Sequence, residues 1–308
     1  ALSFGTLAAG ATFSPQHASG VAADAQISTA SYGVRLGSSP DGFLTRDFVG
    51  GFRLNPRNGP ITFLLERDSV RDTLLSYSGA RDPVTHQIWG GVVSNTASLQ
   101  GHWGTDRSGF YASTGYEFLS GRNVAANRAI LGNIGNYEEV VRRGHGSLTL
   151  GTNFSAMHYD KNLRYFTLGQ GGYFSPQQYF LFDVPFHWSG TYGRRLQYSA
   201  GGSLGVQRFQ EDSSPFYPNS PRLQAQSGES YAALRCVGAN FSLDGQALYQ
   251  LAPQWIAGTF FSANNARNYA SIAGGFFVKF TFEPKRLGLD HDVPGVPNWR
   301  GQQPLSEY

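Results

Sequence analysis

The stretch Val237-Gly238-Ala239-Asn240-Phe241-Ser242-Leu243-Asp244-Gly245-Gln246-Ala247-Leu248-Tyr249-Gln250-Leu251 sorts into two sets when every second residue is taken. The odd positions are apolar or small, and the even positions are polar or glycine except for Leu248. A period of two is the signature of a β-strand, whose successive side chains point to opposite faces. The run outlasts the roughly 5 to 6 residues of an ordinary soluble strand and reaches the roughly 9 to 11 that a strand needs to cross a bilayer. Tyr192 to Val206 repeats the pattern, with Tyr192, Leu196, Tyr198, Ala200, Leu204 and Val206 set against Gly193, Arg195, Gln197, Ser199 and Ser203. Trp89 to Trp103 is a third case, with Trp89, Gly91, Val93, Ala97, Leu99 and Trp103 on one face. There an aromatic near each end of the apolar face fits the interfacial girdle of a membrane barrel.

Outward from these three runs, weaker alternation predicts strands near residues 2–13, 27–36, 43–54, 60–67, 109–119, 124–140, 146–159, 176–188, 255–262 and 269–282, for thirteen in all. Ser38-Ser39-Pro40-Asp41-Gly42, Asn55-Pro56-Arg57-Asn58-Gly59-Pro60, Asp106-Arg107-Ser108-Gly109 and Ala263-Asn264-Asn265 supply turn chemistry between them. Short turns alternate with longer loops at 68–85, 160–175 and 208–230, as in outer-membrane barrels with short periplasmic turns and long external loops. The last predicted strand places Phe276, Val278, Phe280 and Phe282 on one face. Residues 283–308 carry Pro284, Pro294, Pro297 and Pro304 without alternation, so they read as an extended tail after a barrel at 1–282.

Composition points the same way. The 308 residues include 39 Gly, 23 Phe, 16 Tyr and 5 Trp, but only 15% charged residues, against about 25% charged and about 7% glycine in ordinary soluble domains. So aromatic a chain at net charge +3 is not a disordered one, and no run of about 18 apolar residues provides a spanning helix. A large soluble β-sandwich also alternates, but it turns a charged face to water. Here the polar face is mostly Ser, Thr, Asn, Gln and Gly, which favours an all-β transmembrane antiparallel up-and-down barrel. The single cysteine, Cys236, excludes an internal disulfide framework. The start Ala1-Leu2-Ser3 shows no signal-peptide pattern, so a mature chain or a fragment of a longer one is expected. Basic residues form no run longer than Arg142-Arg143 or Lys285-Arg286, so no nucleic-acid partner is expected.

Enzymatic readings are weak. His17, His86, His102, His145, His158, His187 and His291 show no metal-ligand spacing, and no metalloprotease or nucleophile-elbow motif is present. Ser98 and His102 lie four apart on one strand face, about 13 Å from each other and beyond hydrogen-bond reach. Gly169-Gln170-Gly171-Gly172 lacks the Lys and Ser/Thr of a phosphate loop. No catalytic residue, metal or cofactor is therefore assigned.

Two longer motifs carry a resemblance. Tyr159-Asp160-Lys161-Asn162-Leu163-Arg164-Tyr165-Phe166-Thr167-Leu168-Gly169-Gln170-Gly171-Gly172-Tyr173-Phe174-Ser175-Pro176-Gln177 closely resembles a segment of the C-terminal barrel of the bacterial cellulose synthase operon protein C family. So does Leu74-Leu75-Ser76-Tyr77-Ser78-Gly79-Ala80-Arg81-Asp82-Pro83-Val84 with Trp89-Gly90-Gly91-Val92, supported by Gly121-Arg122-Asn123-Val124 and Ala263-Asn264-Asn265-Ala266. The resemblance spans residues 40 to 282. It implies a cellulose exporter of the bacterial outer membrane, with a barrel of about 16 strands. It also implies a periplasmic arm of helical repeats, an inner-membrane cellulose synthase complex and outer-membrane lipid as partners. No helical repeat of about 34 residues occurs here, so the chain corresponds to the barrel part.

Cellulose presents apolar ring faces and hydroxyl edges, so its path wants aromatic rings among dispersed hydrogen-bonding groups. Tyr159, Asp160, Arg164, Tyr165, Phe166, Gln170, Tyr173 and Phe174 form one such mixture, and Tyr77, Arg81, Asp82 and Trp89 another. Both loops are expected to narrow the channel. The alternative, that they only pack against the wall with Arg81 and Asp82 as an ion pair, stays open. A small net charge of mixed sign suits a neutral glycan better than a polyanion. An exporter of another neutral exopolysaccharide, such as poly-N-acetylglucosamine, and a general diffusion porin are the alternatives.

Overall fold

The computed structural model describes residues 3–7, 15–29, 31–56, 59–265 and 271–280. The tail at 283–308, with Thr281 and Phe282, lies outside the described residues. Four short strands come first: β1 (Asp24–Ser28), β2 (Tyr32–Ser38), β3 (Phe48–Leu54) and β4 (Ile61–Ser69). After helix α1 (Leu74–Ser78) and the two-residue β5 (Ala80–Arg81) come the long strands β6 (Ile88–Gly104), β7 (Ser108–Arg122), β8 (Asn127–Arg143), β9 (Gly146–Tyr159), β10 (Gln178–Tyr192) and β11 (Leu196–Glu211). A small excursion of β12 (Ser214–Pro215), α2 (Pro221–Ser227) and β13 (Ser230–Tyr231) leads to β14 (Leu234–Ala252), β15 (Trp255–Asn264) and β16 (Ser271–Phe280).

Each long strand pairs antiparallel with its neighbour in sequence, so the main sheet is one meander from β1 to β16, with β5 as a side branch on β6 and β12–β13 a separate ladder. Thirteen strands form the meander, and with β5 the sheet has 14; the family's 16 is not reached among the described residues. The total of thirteen matches the number read from alternation, but two predicted strands are corrected. The run at 27–36 is two strands, β1 and β2, because Thr29 turns the chain: its Oγ1 accepts from the amides of Ser31 and Tyr32. The run at 2–13 is no strand where it is described: Phe4 to Leu7 make a turn with isolated bridges, one of them to Thr167. The rest of that run lies outside the described residues.

Alternation fixes the two faces of the wall. On β14 the odd positions lie outward, with Val237 70% and Phe241 41% exposed, while the even-numbered Asn240 and Gln250 are buried. The same apolar face continues through Phe154, Phe180, Phe182, Val184, Leu204 and Val206. An ordinary sheet buries such a face, so leaving it outward suits a wall solvated by lipid. The inner face carries polar ladders. Tyr111 donates to Asn153 at 3.1 Å, Asn133 donates to Asn153 at 2.6 Å, and Asn153 donates to Asp183 at 2.7 Å. Ser203 and Ser242 share a hydrogen bond further round, and Arg35 pairs with Asp68 at 2.6 Å on the short-strand side.

Glycine and aromatic residues are linked by geometry. A Cβ at Gly190 would lie 2.6 Å from the Tyr198 hydroxyl, one at Gly202 would lie 3.0 Å from the Phe186 ring, and one at Gly275 would lie 2.9 Å from the Phe260 ring. The far ends of these rings thus reach over the bare backbone of the neighbouring strand, where a side chain would displace them. Leu248, the exception in the alternation, fits the same scheme. It is 1% exposed and packs over Gly258, whose Cβ would come within 2.8 Å of it.

Strand parity puts the connections at 29–31, 55–60, 105–107, 144–145, 193–195 and 253–254 on one rim. The connections at 39–47, 70–87, 123–126, 160–177 and 212–233 lie at the other, so all the long loops share a rim.

Candidate functional site: a cap at the long-loop rim

The hydrophobic core of the molecule sits at that rim, inside the sheet. Val70, Leu75, Ala80, Trp89, Val92, Leu119, Val124, Ala125, Ala129, Tyr159, Leu163, Leu168 and Tyr173 form one buried cluster drawn from three loops and the ends of β6 to β9. Trp89 belongs to it through a break in alternation. A β-bulge lies between Gly90 and Val92, with φ of 98° at Gly90 and 57° at Gly91. Those left-handed values favour glycine, and at both positions the space for a Cβ is already taken, by Leu75 and Thr45. The extra residue turns Trp89 from the outward face to the inward one, where it is fully buried against Phe4, ring centroids 5.1 Å apart. The girdle placement expected for Trp89 is therefore corrected, whereas Trp103 remains outward and stacks on Phe110 at 5.0 Å.

Three segments lock together over the strand ends. The first, 70–87, begins α1 with a capping box in which Thr73 accepts from the Ser76 amide, and Thr73 Oγ1 also donates to the Gly172 carbonyl at 2.7 Å. The second, 160–177, is held by Asn127, which donates to the Lys161 carbonyl and the Tyr173 hydroxyl and accepts from the Lys161 amide. Within it, the Gly171 and Gly172 amides both donate to the Leu163 carbonyl. The third, 212–233, meets the second through Asn162 donating to the Asp212 carbonyl, Gln170 donating to Ser214 and the Pro215 carbonyl, and Thr167 donating to the Phe216 carbonyl. Tyr231 lies between Tyr165 and Phe216, stacked on each at 3.5 and 4.2 Å. Residues 3–7 thread beneath: Gly5 donates to the Phe166 carbonyl and accepts from the Leu168 amide.

The twelve residues singled out from sequence all lie in or against this cap, but they divide by exposure. Asp82, Trp89, Tyr159, Gln170 and Tyr173 are buried. Arg81 and Asp160 are exposed, while Tyr77, Arg164, Tyr165, Phe166 and Phe174 are half-buried. Tyr77 meets Phe43 edge-on and lies under the Arg71 guanidinium; Phe174 meets Tyr179 and Phe209 edge-on. Arg81 and Asp82 do not bond to each other. Arg81 donates to the His86 carbonyl. Asp82 accepts from the amides and hydroxyls of Thr6 and Thr85. Burial alone would raise the Asp82 pKa, but those four donors outweigh it and hold the carboxyl below the usual aspartate value. Burial raises the Tyr165, Tyr173 and Tyr231 hydroxyls above theirs.

Sequence reasoning missed the groups that hold these residues. Arg164 pairs with the buried Glu211 at the end of β11, and Tyr159 donates to Glu117 on β7, which also accepts from Ser94. Glu117 was findable: it shares the inward parity of Gly115 and Leu119 and is the only carboxylate on its strand. Asn127, Ser214 and Tyr231 carry no such local signal, since the partners through which they fasten the cap, Lys161 and Tyr173 for Asn127, Asn162 and Gln170 for Ser214 and Tyr165 for Tyr231, lie more than thirty residues away. Trp89 Nε1, Gln170 Oε1 and Glu211 Oε1 are buried without a hydrogen-bond partner among the described residues.

A family model described as cellulose synthase operon protein C C-terminus matches residues 1–283. Relatives called cellulose synthase operon protein C include one from Xanthomonas axonopodis pv. citri (strain 306), 34% identical over 89% of this chain and 19% of the relative. One from Komagataeibacter xylinus is 36% identical over 73% of this chain and 18% of the relative. One from Salmonella typhimurium is 30% identical over 89% and 23%. This chain thus spans about a fifth of the length of those relatives. A solved structure titled bacterial polysaccharide outer membrane secretin shares the fold, with TM-score 0.54 at 11% identity over 85% of this chain and 79% of that one.

Proposed function

This chain belongs to the cellulose synthase operon protein C C-terminal family, and on that premise we propose that it is a non-enzymatic outer-membrane channel for the export of nascent cellulose. The observation that carries the reading is the cap. The wall turns apolar residues outward and hydroxyl and amide groups inward, as a water-filled channel in lipid requires. The rim with the long loops is then filled by a packed, hydrogen-bonded cluster. A general diffusion porin keeps its lumen open, so a filled rim favours a channel that opens for one cargo. The mixed small charge of the chain, +3 overall, and the amide and hydroxyl ladders within favour a neutral glycan.

The buried group of Asp82, Trp89, Tyr159, Gln170 and Tyr173 holds the cap shut. Tyr77, Arg81, Asp160, Arg164, Tyr165, Phe166 and Phe174, which keep exposed surface, meet the glucan as the loops part. Growth of the chain at an inner-membrane synthase supplies the push, delivered through a periplasmic arm.

Two measurements test this. In planar bilayers the wild-type barrel should conduct little, and Tyr173→Ala should raise its conductance. In cells, full-length protein carrying Tyr173→Ala should assemble in the outer membrane with altered cellulose output. A wild-type channel that conducts steadily with an intact cap, or cellulose secreted at wild-type level without the barrel, would overturn the reading.

A further inference from the structure

The short-turn rim carries a notch on its outward face, far from the cap. Two rows of the wall build it. Val141, Leu148 and Trp188 sit opposite one another across β8, β9 and β10, and Arg143, Gly146, Gly190 and Tyr198 make the next row toward the rim. A β-bulge between Glu139 and Val141 shifts the parity of β8, so Val141 and Arg143 face outward beside Leu148. Gly146 and Gly190 leave the floor of the second row bare. The Tyr198 side chain reaches over them, its hydroxyl 2.6 Å from a Cβ built on Gly190 and 3.8 Å from one built on Gly146. Trp188, half exposed, meets Tyr198 edge-on at 5.2 Å. The amide of Thr191 donates to the His145 carbonyl at 2.7 Å and ties the 144–145 turn to β10. The result is a cavity of about 240 Å³ lined by Val141, Leu148, Trp188, Tyr198, Arg143 and His145.

We infer that this notch binds the headgroup of an anionic glycerophospholipid of the periplasmic leaflet. The inference rests on the membrane-barrel reading above, in which short turns face the periplasm. Its chemistry is graded as a lipid's is: aliphatic and indole surface toward the hydrocarbon, a phenol at the interface and basic groups at the rim. Glu139, on the inward face opposite Thr149, is taken by Arg142 at 2.6 Å, which leaves Arg143 outside that pair, and the one outward carboxylate of this stretch, Glu138, sits a row further from the rim, opposite Leu150. Arg194 and Arg195 in the adjacent turn add positive potential. The cavity is smaller than the roughly 300 to 1,000 Å³ of ordinary ligand pockets, which suits a headgroup and not an oligosaccharide. Arg143 meets the phosphate, His145 and Thr191 the glycerol end, and Trp188, Val141 and Leu148 the first acyl carbons.

Native mass spectrometry of the folded protein in detergent, with phosphatidylglycerol or phosphatidylethanolamine added, tests the site. Phosphatidylglycerol should be retained in preference, and R143Q/H145Q should lower its retention about fivefold, the effect of roughly one basic residue at an anionic surface. Arg142→Gln removes equal charge outside the notch and should retain the lipid as wild type does. Equal retention of both lipids, equal loss in R142Q and R143Q/H145Q, or no loss in either variant overturns the inference. Displacement of the lipid by millimolar inorganic phosphate also overturns it, by marking a site for soluble anions. Insertion into vesicles, followed by the heat-dependent gel shift of folded barrels, separates the two readings. Protein that inserts without lipid preference refutes the headgroup site alone, and protein that fails to insert refutes both.

Discussion

At the long-loop rim the large side chains Trp89, Tyr159 and Tyr173 point inward and are buried; at the short-turn rim Trp103, Trp188, Tyr192 and Trp255 point outward and are exposed. Both rims are ends of the same strands with the same period of two. What differs is the neighbourhood that each face meets. Outward positions meet lipid and need only be apolar. Inward positions stay polar until loops fold in, and there they become a protein core with its own packing rules. One chain thus holds two hydrophobic surfaces of different kinds, and substitutions can strike either separately.

The largest effect is expected for Trp89→Ala, which empties the centre of the cap. By the usual cost of deleting a buried ring, about 3 to 5 kcal/mol, the cap should loosen, seen as faster hydrogen exchange in 70–87 and 160–177, while β9 to β11 keep their protection. Loss of protection in both regions together would show that the cap and wall are one cooperative unit. Next is Leu204→Arg, at a lipid-facing position 68% exposed. A charge there should cost about 2 to 4 kcal/mol near the bilayer midplane, measured by urea titration of vesicle-inserted protein, with the cap's exchange unchanged.

Asp82 gives a smaller effect that depends on pH. Its carboxyl is held below the usual aspartate value when folded, so its contribution is present above the unfolded value and is lost as pH falls through the folded one. Protection of the Thr6 amide should therefore persist from neutral pH to the ordinary aspartate range and fall below it. Asp82→Asn should weaken that protection at neutral pH and flatten its acid dependence. The smallest effect belongs to Tyr231→Ala, which removes the stacking on Tyr165 and Phe216. Such ring pairs contribute about 0.5 to 1.5 kcal/mol, and the expected sign is easier proteolysis of 212–233 with no change in barrel assembly.

The wall was legible in the sequence because alternation is local. Val237 to Leu251 reads directly as β14 with its faces correctly assigned, and even Leu248 departs for a reason visible beside it, the missing side chain of Gly258. Trp89 was misplaced on the outward face because one extra residue reverses parity. The adjacent Gly90 and Gly91 are the kind of strand glycines that mark such a bulge. The split of β1 from β2 was missed because Thr29 makes that turn without Gly or Pro. The cap was legible only as two glycine- and aromatic-rich loops. Its fastening depends on Asn127, Glu211 and Tyr231, whose partners are set by the fold and not by spacing.

The order of pairing also dictates an order of events. Every long strand of the meander meets its chain neighbours across a short turn or a loop no longer than 212–233, and such contacts close at less entropic cost than more distant ones. The cap is fastened by bonds of far longer reach, 76 residues from Thr6 to Asp82 and 102 from Phe174 to Asp72. Those partners come into range only after β4 to β10 stand side by side. During biogenesis the wall should therefore precede its cap, and each new molecule passes through a stage in which its strands are paired and its long-loop rim still stands open.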